Sequence, residues 1–205
     1  MNKKLVIVGI STEVGKTIVS AIFTEALKAD YWKPVQSGAI TDSDKLTVQG
    51  LISNNQSVFH PEAYCLKEPL SPHAAADIEG VRICLDEIEI PDTRNNLVIE
   101  MAGGLMVPLN DKEFNYDLLK KWNLPVVLVA NYYLGSINHT LLSIELLRSS
   151  SIPIHSIVFN GNLVQSSRDA ILRYANVERY FELPEIPNLD QLSIQKHAGE
   201  ITARI

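Results

Sequence analysis

The nine residues Gly9-Ile10-Ser11-Thr12-Glu13-Val14-Gly15-Lys16-Thr17 put a lysine and a hydroxyl directly after a glycine. They lie between the apolar run Leu5-Val6-Ile7-Val8 and an amphipathic stretch. A strand, a glycine-bearing loop ending in Gly-Lys-Thr and then a helix form a cradle for phosphate groups. Backbone N–H groups of such a loop point at phosphate oxygens, and the helix N-terminus adds partial positive charge. In that chemistry Lys16 reaches the terminal phosphates and the Thr17 hydroxyl ligates Mg²⁺. The spacing departs from the usual pattern. Five residues, Ile10 to Val14, separate Gly9 from Gly15, where the common form has four.

Two further groups could join that chemistry. Lys33 lies in Lys33-Pro34-Val35-Gln36-Ser37-Gly38, at the end of a short apolar run. A second lysine in the same crevice stabilises charge that develops during phosphoryl transfer; a solvated strand-end charge is the plainer reading. Glu100 ends the apolar run Leu97-Val98-Ile99 and precedes Met101-Ala102-Gly103-Gly104. A carboxylate at the end of a buried strand, downstream of a P-loop, suits Mg²⁺, and an ion pair is its alternative. Asp42-Ser43-Asp44 opens a helix, where carboxylates serve as caps or as further cation ligands.

The elements that must position these residues alternate, as parallel βαβ units require. Strands are expected at Val6–Gly9, Tyr31–Val35, Leu97–Glu100, Pro125–Ala130 and Ile152–Phe159. Helices are expected after the glycine loop from Ile18 to Leu27, and at Thr41–Ile52, Phe114–Trp122, Ile137–Leu147 and Arg168–Ala175. Residues 60–95 carry Pro61, Pro69, Pro72 and Pro91 and are less regular. The expected fold is α/β, doubly wound, a mostly parallel sheet with helices on both faces, formed by one domain over residues 1–205. Ligands of such sheets sit beyond the carboxyl ends of the strands, where the residues above cluster.

Composition limits the possibilities. A formal charge of −6 with scattered Lys and Arg argues against a nucleic-acid surface. No apolar run approaches membrane-spanning length and no leader region is apparent, so a cytoplasmic protein is expected. Cys65 and Cys84 lack CxxC spacing and read as free thiols acting as small apolar fillers.

Taken together and in order, the motifs resemble the dethiobiotin synthetase family. Its long P-loop, GTDTEVGKT, is similar to GISTEVGKT here, so the extra residue is the family's own form. Lys33 to Gly38 is similar to KPVxSG, and Ser43-Asp44 follows. Glu68 to His73 is similar to EPxSPH, Glu100 to Gly104 to EGAGG, and Leu134 to His139 to LGxINH; Asn160 follows the strand ending at Phe159. Pro184 to Leu189 is similar to GEIPWL. Ile10 and Ser11 depart from Thr-Asp, Met101 from Gly, and Asn188 from Trp.

The resemblance implies a P-loop NTPase fold and these roles. Thr12, Glu13, Val14, Gly15, Lys16, Thr17 and Ile18 wrap the triphosphate of ATP, with Met101, Ala102 and Gly103 beside it. Thr17, Asp44 and Glu100 hold Mg²⁺. Lys33 is the active-site lysine, supported by Lys16. Asn160 and Gly161 meet the adenine, and Pro187, Asn188 and Leu189 the nucleoside. Ser37 contacts the diamine substrate. The active site lies at a homodimer interface, and Gly135, Ser136, Ile137 and Asn138 bind the substrate carboxylate from the neighbouring subunit. The implied reaction carboxylates 7,8-diaminononanoate with CO2 and closes a cyclic urea at the expense of ATP, a step of biotin synthesis. His73 and His139 sit in these motifs and are expected to be structural.

Two other classes share a P-loop and a buried acidic strand end. One is the nucleotide switches of the partitioning and metal-insertase type. The other is a catalytically silent regulatory domain of the same fold. The KPVQSG and EPLSPH stretches discriminate, since a switch has no need of a diamine pocket.

Overall fold

The computed structural model describes residues 2–38 and 43–204. Its centre is a six-stranded sheet built from β1 (Lys4–Gly9), β2 (Asp30–Trp32), β5 (Leu97–Gly104), β6 (Val126–Asn131), β7 (Ile154–Asn160) and β8 (Tyr180–Leu183), in the order β2-β5-β1-β6-β7-β8. Every pairing within it is parallel. β3 (Val35–Ser37) and β4 (Tyr64–Leu66) form a separate parallel pair.

The near-continuous apolar runs of the central strands have a direct cause, because both faces are covered. On β1, Leu5 and Ile7 join one core while Val6 and Val8 join the other. On β6, Val127 and Val129 face the first, and Val126, Leu128 and Ala130 the second. Helices α1 (Lys16–Leu27), α2 (Asp44–Leu51) and α7 (Gln191–Thr202) supply Phe23, Val48 and Ile194 to one layer. Helices α3 (Pro72–Glu79), α4 (Asn115–Trp122), α5 (Ser136–Ser149) and α6 (Gln165–Ala175) supply Ala75, Leu118, Ile144 and Ile171 to the other. Each fully buried side chain of Val, Leu, Ile or Phe size contributes about 1.5–3 kcal/mol of transfer free energy, set against the entropy of ordering it.

The expected strand Tyr31–Val35 is two strands in different sheets. Pro34 has no N–H to offer a ladder, and the chain leaves the main sheet at Lys33-Pro34. The break is what sets Lys33 at the end of β2 and sends Ser37 into the small sheet. The helix expected at Thr41–Ile52 begins at Asp44, with Ser43 as its N-cap accepting from the Leu46 N–H at 3.3 Å; Thr41 and Asp42 lie outside the described residues. Residues 60–95 do hold regular structure, β4, α3 and a short 3₁₀ turn at Leu85–Glu87. Pro72 lies in the first turn of α3, where a missing N–H is harmless. The strand β8 and helix α7 had no expected counterpart. Cys65 is exposed rather than a core filler, and both cysteines are free. No helix among the described residues is long and apolar enough to cross a membrane.

Candidate functional site

The carboxyl ends of β1, β2 and β5 meet the first turns of α1 and α2 around a cavity of about 860 Å³. Thr12, Glu13, Gly15, Lys16, Thr17 and Ile18 line it from the loop and α1. Lys33, Ser37, Asp44, Glu100, Ala102 and Gly103 line it from the other elements. The loop geometry depends on Gly15, which has φ +92 and caps α1 in the left-handed region. A Cβ there would also run into the Asn160 amide, so glycine is required twice over.

Four polar side chains converge within this cavity. The Thr17 hydroxyl lies 2.5 Å from Asp44 Oδ1 and 2.9 Å from Glu100 Oε1. The Lys33 ammonium donates to Asp44 Oδ2 and, at 3.3 Å, to Glu100 Oε1. Lys33 and Glu100 are buried, their side chains 7% and 1% exposed. Taking them out of water is expensive unless each charge is compensated, and here one ammonium serves two carboxylates. Burial opposes the charge on Lys33, but Glu100 and Asp44 together outweigh it and hold its pKa above the ordinary lysine value. Burial likewise works against ionised Asp44, and Lys33 with the Thr17 and Gln36 hydrogen bonds reverses the outcome, leaving its pKa lowered. Lys16 differs. Burial lowers its pKa to about 8, with Glu100 pulling up and Lys33 pushing down. Its ammonium donates to the Ser11 carbonyl at 2.9 Å.

Supporting contacts fix these groups. Gln36 accepts from the Asp44 N–H at 3.3 Å and donates to the Ser37 carbonyl at 2.8 Å, tying the start of α2 to β3. Buried Asn115 donates to the Ala102 and Gly104 carbonyls, so the glycine stretch after Glu100 is pinned from α4. Among the described residues, Ser37 Oγ is buried with no hydrogen-bond partner.

Other expected site residues lie elsewhere. The Val14 side chain is buried beneath the loop and Met101 is buried in the core on the α4 side, so only their backbones are available to a ligand. Met101 therefore does not narrow the cavity. Asn160 donates through its amide nitrogen to the Val14 carbonyl at 2.9 Å. Gly161, at φ +100, gives its N–H to Leu183. Pro187, Asn188 and Leu189 are exposed beyond β8. Gly135, Ser136, Ile137 and Asn138 open α5, with Gly135 and Asn138 exposed, Ile137 half-buried and Ser136 buried, and none of them lines the cavity that holds Lys33. His73 pairs with Ser71 at 3.1 Å and His139 with Tyr133 at 2.6 Å. Neither histidine lines that cavity. Gln36, Asn115 and Tyr31 were not singled out from sequence. For Tyr31 a signal exists, since it sits two residues before Lys33 and shares its face.

A parallel sheet with its strand ends on a glycine loop, two lysines, a threonine and two carboxylates defines a P-loop nucleotide-binding protein of the α/β class. Its fold is shared with a ParA family ATPase from Chlorobium tepidum, at a TM-score of 0.65 and 12% identity over the whole of both chains. It is also shared with the MinC:MinD cell division protein complex of Aquifex aeolicus, at 0.54 and 14%, covering 99% of this chain and 97% of that one. The family model described as an AAA domain matches residues 3–193. Sequence relatives are more specific. The chain is 48% identical over 205 residues to the ATP-dependent dethiobiotin synthetase BioD of Christiangramia forsetii, covering 100% of this chain and 99% of that protein. It is 45% identical over 195 residues to the protein of the same name from Rhodopseudomonas palustris, covering 95% and 93%. The chain belongs to the dethiobiotin synthetase family.

Proposed function

We propose that this protein is an ATP-dependent dethiobiotin synthetase. On this reading it carboxylates 7,8-diaminononanoate and closes the cyclic urea. The observation that carries the proposal is the convergence of Lys33, Thr17, Asp44 and Glu100 beside the loop bearing Lys16. Family membership supports the choice of substrate.

The chemistry runs in three parts. One amine captures CO2 as a carbamate. A carbamate oxygen attacks the γ-phosphorus of ATP and ADP leaves, giving a mixed carbamic–phosphoric anhydride. The second amine attacks the carbonyl carbon and phosphate departs with the carbamate oxygen. A bare carbamate has no adequate leaving group, so the phosphoryl step is what makes ring closure possible. The chain's part is positioning and charge stabilisation, and no nucleophilic side chain is needed. Loop amides from Thr12 to Ile18 would hold the triphosphate at the start of α1. Lys16 and Lys33 would face the transferring phosphoryl group from two sides, and Ser37 would accept or donate to the diamine.

Thr17, Asp44 and Glu100 present a hydroxyl and two carboxylates, all hard oxygen donors, within one small volume. That set fits Mg²⁺, which binds through one or two carboxylates plus phosphate oxygens and water. The ion would supply charge neutralisation on the β- and γ-phosphates. Lys33 offsets both carboxylates.

The working unit is a homodimer with the site completed across the interface. Support comes from apolar side chains exposed around the start of α5 and after β5. Leu134 is fully exposed, 103% of its reference area, and Leu142 and Met106 are 61% and 54% exposed. Leu142 and Met106 border an apolar groove of about 650 Å³ that shares Thr12 and Val107 with the phosphate cavity. The turn at Gly135 to Asn138 opens a helix, which favours an anion such as the substrate carboxylate. Incubation with 7,8-diaminononanoate, bicarbonate, Mg²⁺ and ATP is expected to yield a product of the cyclic urea mass, dependent on all four. Nucleotide hydrolysis indifferent to the diamine would sink the reading.

A further inference from the structure

Tyr31 carries a polar atom that none of the roles above uses. Its side chain is completely buried, and its ring packs against Phe59 with centroids 5.8 Å apart. Its hydroxyl donates to Glu100 Oε2 at 3.0 Å. Strand geometry dictates this contact. β2 and β5 run parallel with Tyr31 opposite Val98, and residues two apart along a strand share a face. Tyr31 and Lys33 therefore stand on the same side as Val98 and Glu100. The remaining oxygen of Glu100, Oε1, takes the Thr17 hydroxyl at 2.9 Å and the Lys33 ammonium at 3.3 Å. The carboxylate is thus divided, one oxygen turned to the core and one to the phosphate cavity.

We propose that Tyr31 is a positioning residue for the cation-binding carboxylate. By occupying Oε2 it fixes the plane of Glu100 and leaves Oε1 as the oxygen offered to the cation. The inference rests on the reading of Glu100 as a Mg²⁺ ligand given above. A phenylalanine would fill the same space without orienting the carboxylate. Groups that orient a metal ligand from behind typically change metal affinity by about 10–100-fold.

The test uses the full chain, a non-hydrolysable ATP analogue and Mn²⁺, with bound Mn²⁺ read by electron paramagnetic resonance. Tyr31→Phe is expected to weaken Mn²⁺ binding about tenfold or more. Affinity for the analogue without metal should stay within about twofold, since the loop amides are untouched. In a Glu100→Gln background the same substitution should have almost no further effect, because two residues acting through one contact are non-additive. Unchanged Mn²⁺ affinity in Tyr31→Phe overturns the proposal. So does an equal loss of analogue affinity without metal, which marks general loosening, or a full-sized effect in the Glu100→Gln background. Failure of the underlying reading has a different signature: the wild-type chain then binds no Mn²⁺ with the analogue, and Tyr31 has no cation site to serve.

Discussion

The loop-and-carboxylate side of the site and the turn that opens α5 are built on opposite plans. On the first side Lys33, Glu100 and Lys16 are buried and every charge has a partner within the chain. On the second, Gly135 and Asn138 are exposed, and Leu134 beside them touches nothing that shields it. The first is preorganised by the fold of one chain, the condition under which electrostatic stabilisation works. The second has only a helix start and an apolar surround, which gains meaning when another surface covers it. In the homodimer proposed above, the phosphoryl chemistry would belong to one subunit and substrate recognition to a pair.

Removing Lys33 should break the preorganised side most severely. Lys33→Ala is expected to lower turnover about 10²–10³-fold, as loss of one charge-stabilising donor does, while nucleotide still binds in single-turnover assays. The ligand-free variant should also lose about 3 kcal/mol in denaturant unfolding, since Glu100 and Asp44 then keep their charge without a partner. Near-normal turnover would remove Lys33 from the mechanism.

Mixing variants addresses the other side of the comparison. Lys33→Ala and Asn138→Trp should each be nearly inactive alone. Subunit exchange should restore about a quarter of wild-type activity, because random pairing in a twofold-symmetric dimer leaves that share of sites intact. No recovery after exchange, with dimers verified by sedimentation, would assign both regions to one chain.

A smaller effect follows from Lys16, whose pKa lies near 8 in the ligand-free protein. Folding weakens its hold on the proton, so charged Lys16 costs stability below about pH 8, and that cost fades as pH rises from 8 toward the unfolded value of about 10.5. Nucleotide should reverse the shift, so binding at pH 8.5 takes up a fraction of a proton. Calorimetry in buffers of different ionisation enthalpy measures this, and zero uptake would contradict it. The least effect is expected at Ser11. Its carbonyl, not its half-buried side chain, receives Lys16, so Ser11→Asp should change the KM for ATP less than about threefold, as a substitution that breaks no named contact does.

Much of this site was legible before the fold was known. Gly-Lys-Thr after an apolar run and Glu100 at the end of LVIE are local patterns whose chemistry follows from position. The division of Tyr31–Val35 into two sheets was less visible, because Pro34 could equally have ended an edge strand. Asn115 and Gln36 were hidden for a different reason. Their roles depend on backbone carbonyls and N–H groups brought close only by the tertiary fold. The final strand and helix are weakly marked because Tyr180 to Leu183 is a four-residue edge strand and the buried stripe of α7 is only Ile194, Ala198 and Ile201, one of them a small alanine. Ile10, which stands where the family has Thr, packs against both cores. Its identity reflects packing rather than phosphate contact.

The central claim is that the phosphate cavity activates a carbamate rather than merely hydrolysing nucleotide. It is tested most directly by supplying heavy-oxygen-labelled carbon dioxide with 7,8-diaminononanoate, Mg²⁺ and ATP and analysing the released phosphate by mass. One labelled oxygen per phosphate, matched by one cyclic urea, is the expected result. Phosphate carrying no label while the urea forms would contradict the mixed anhydride and with it the role assigned to Lys33 and Glu100.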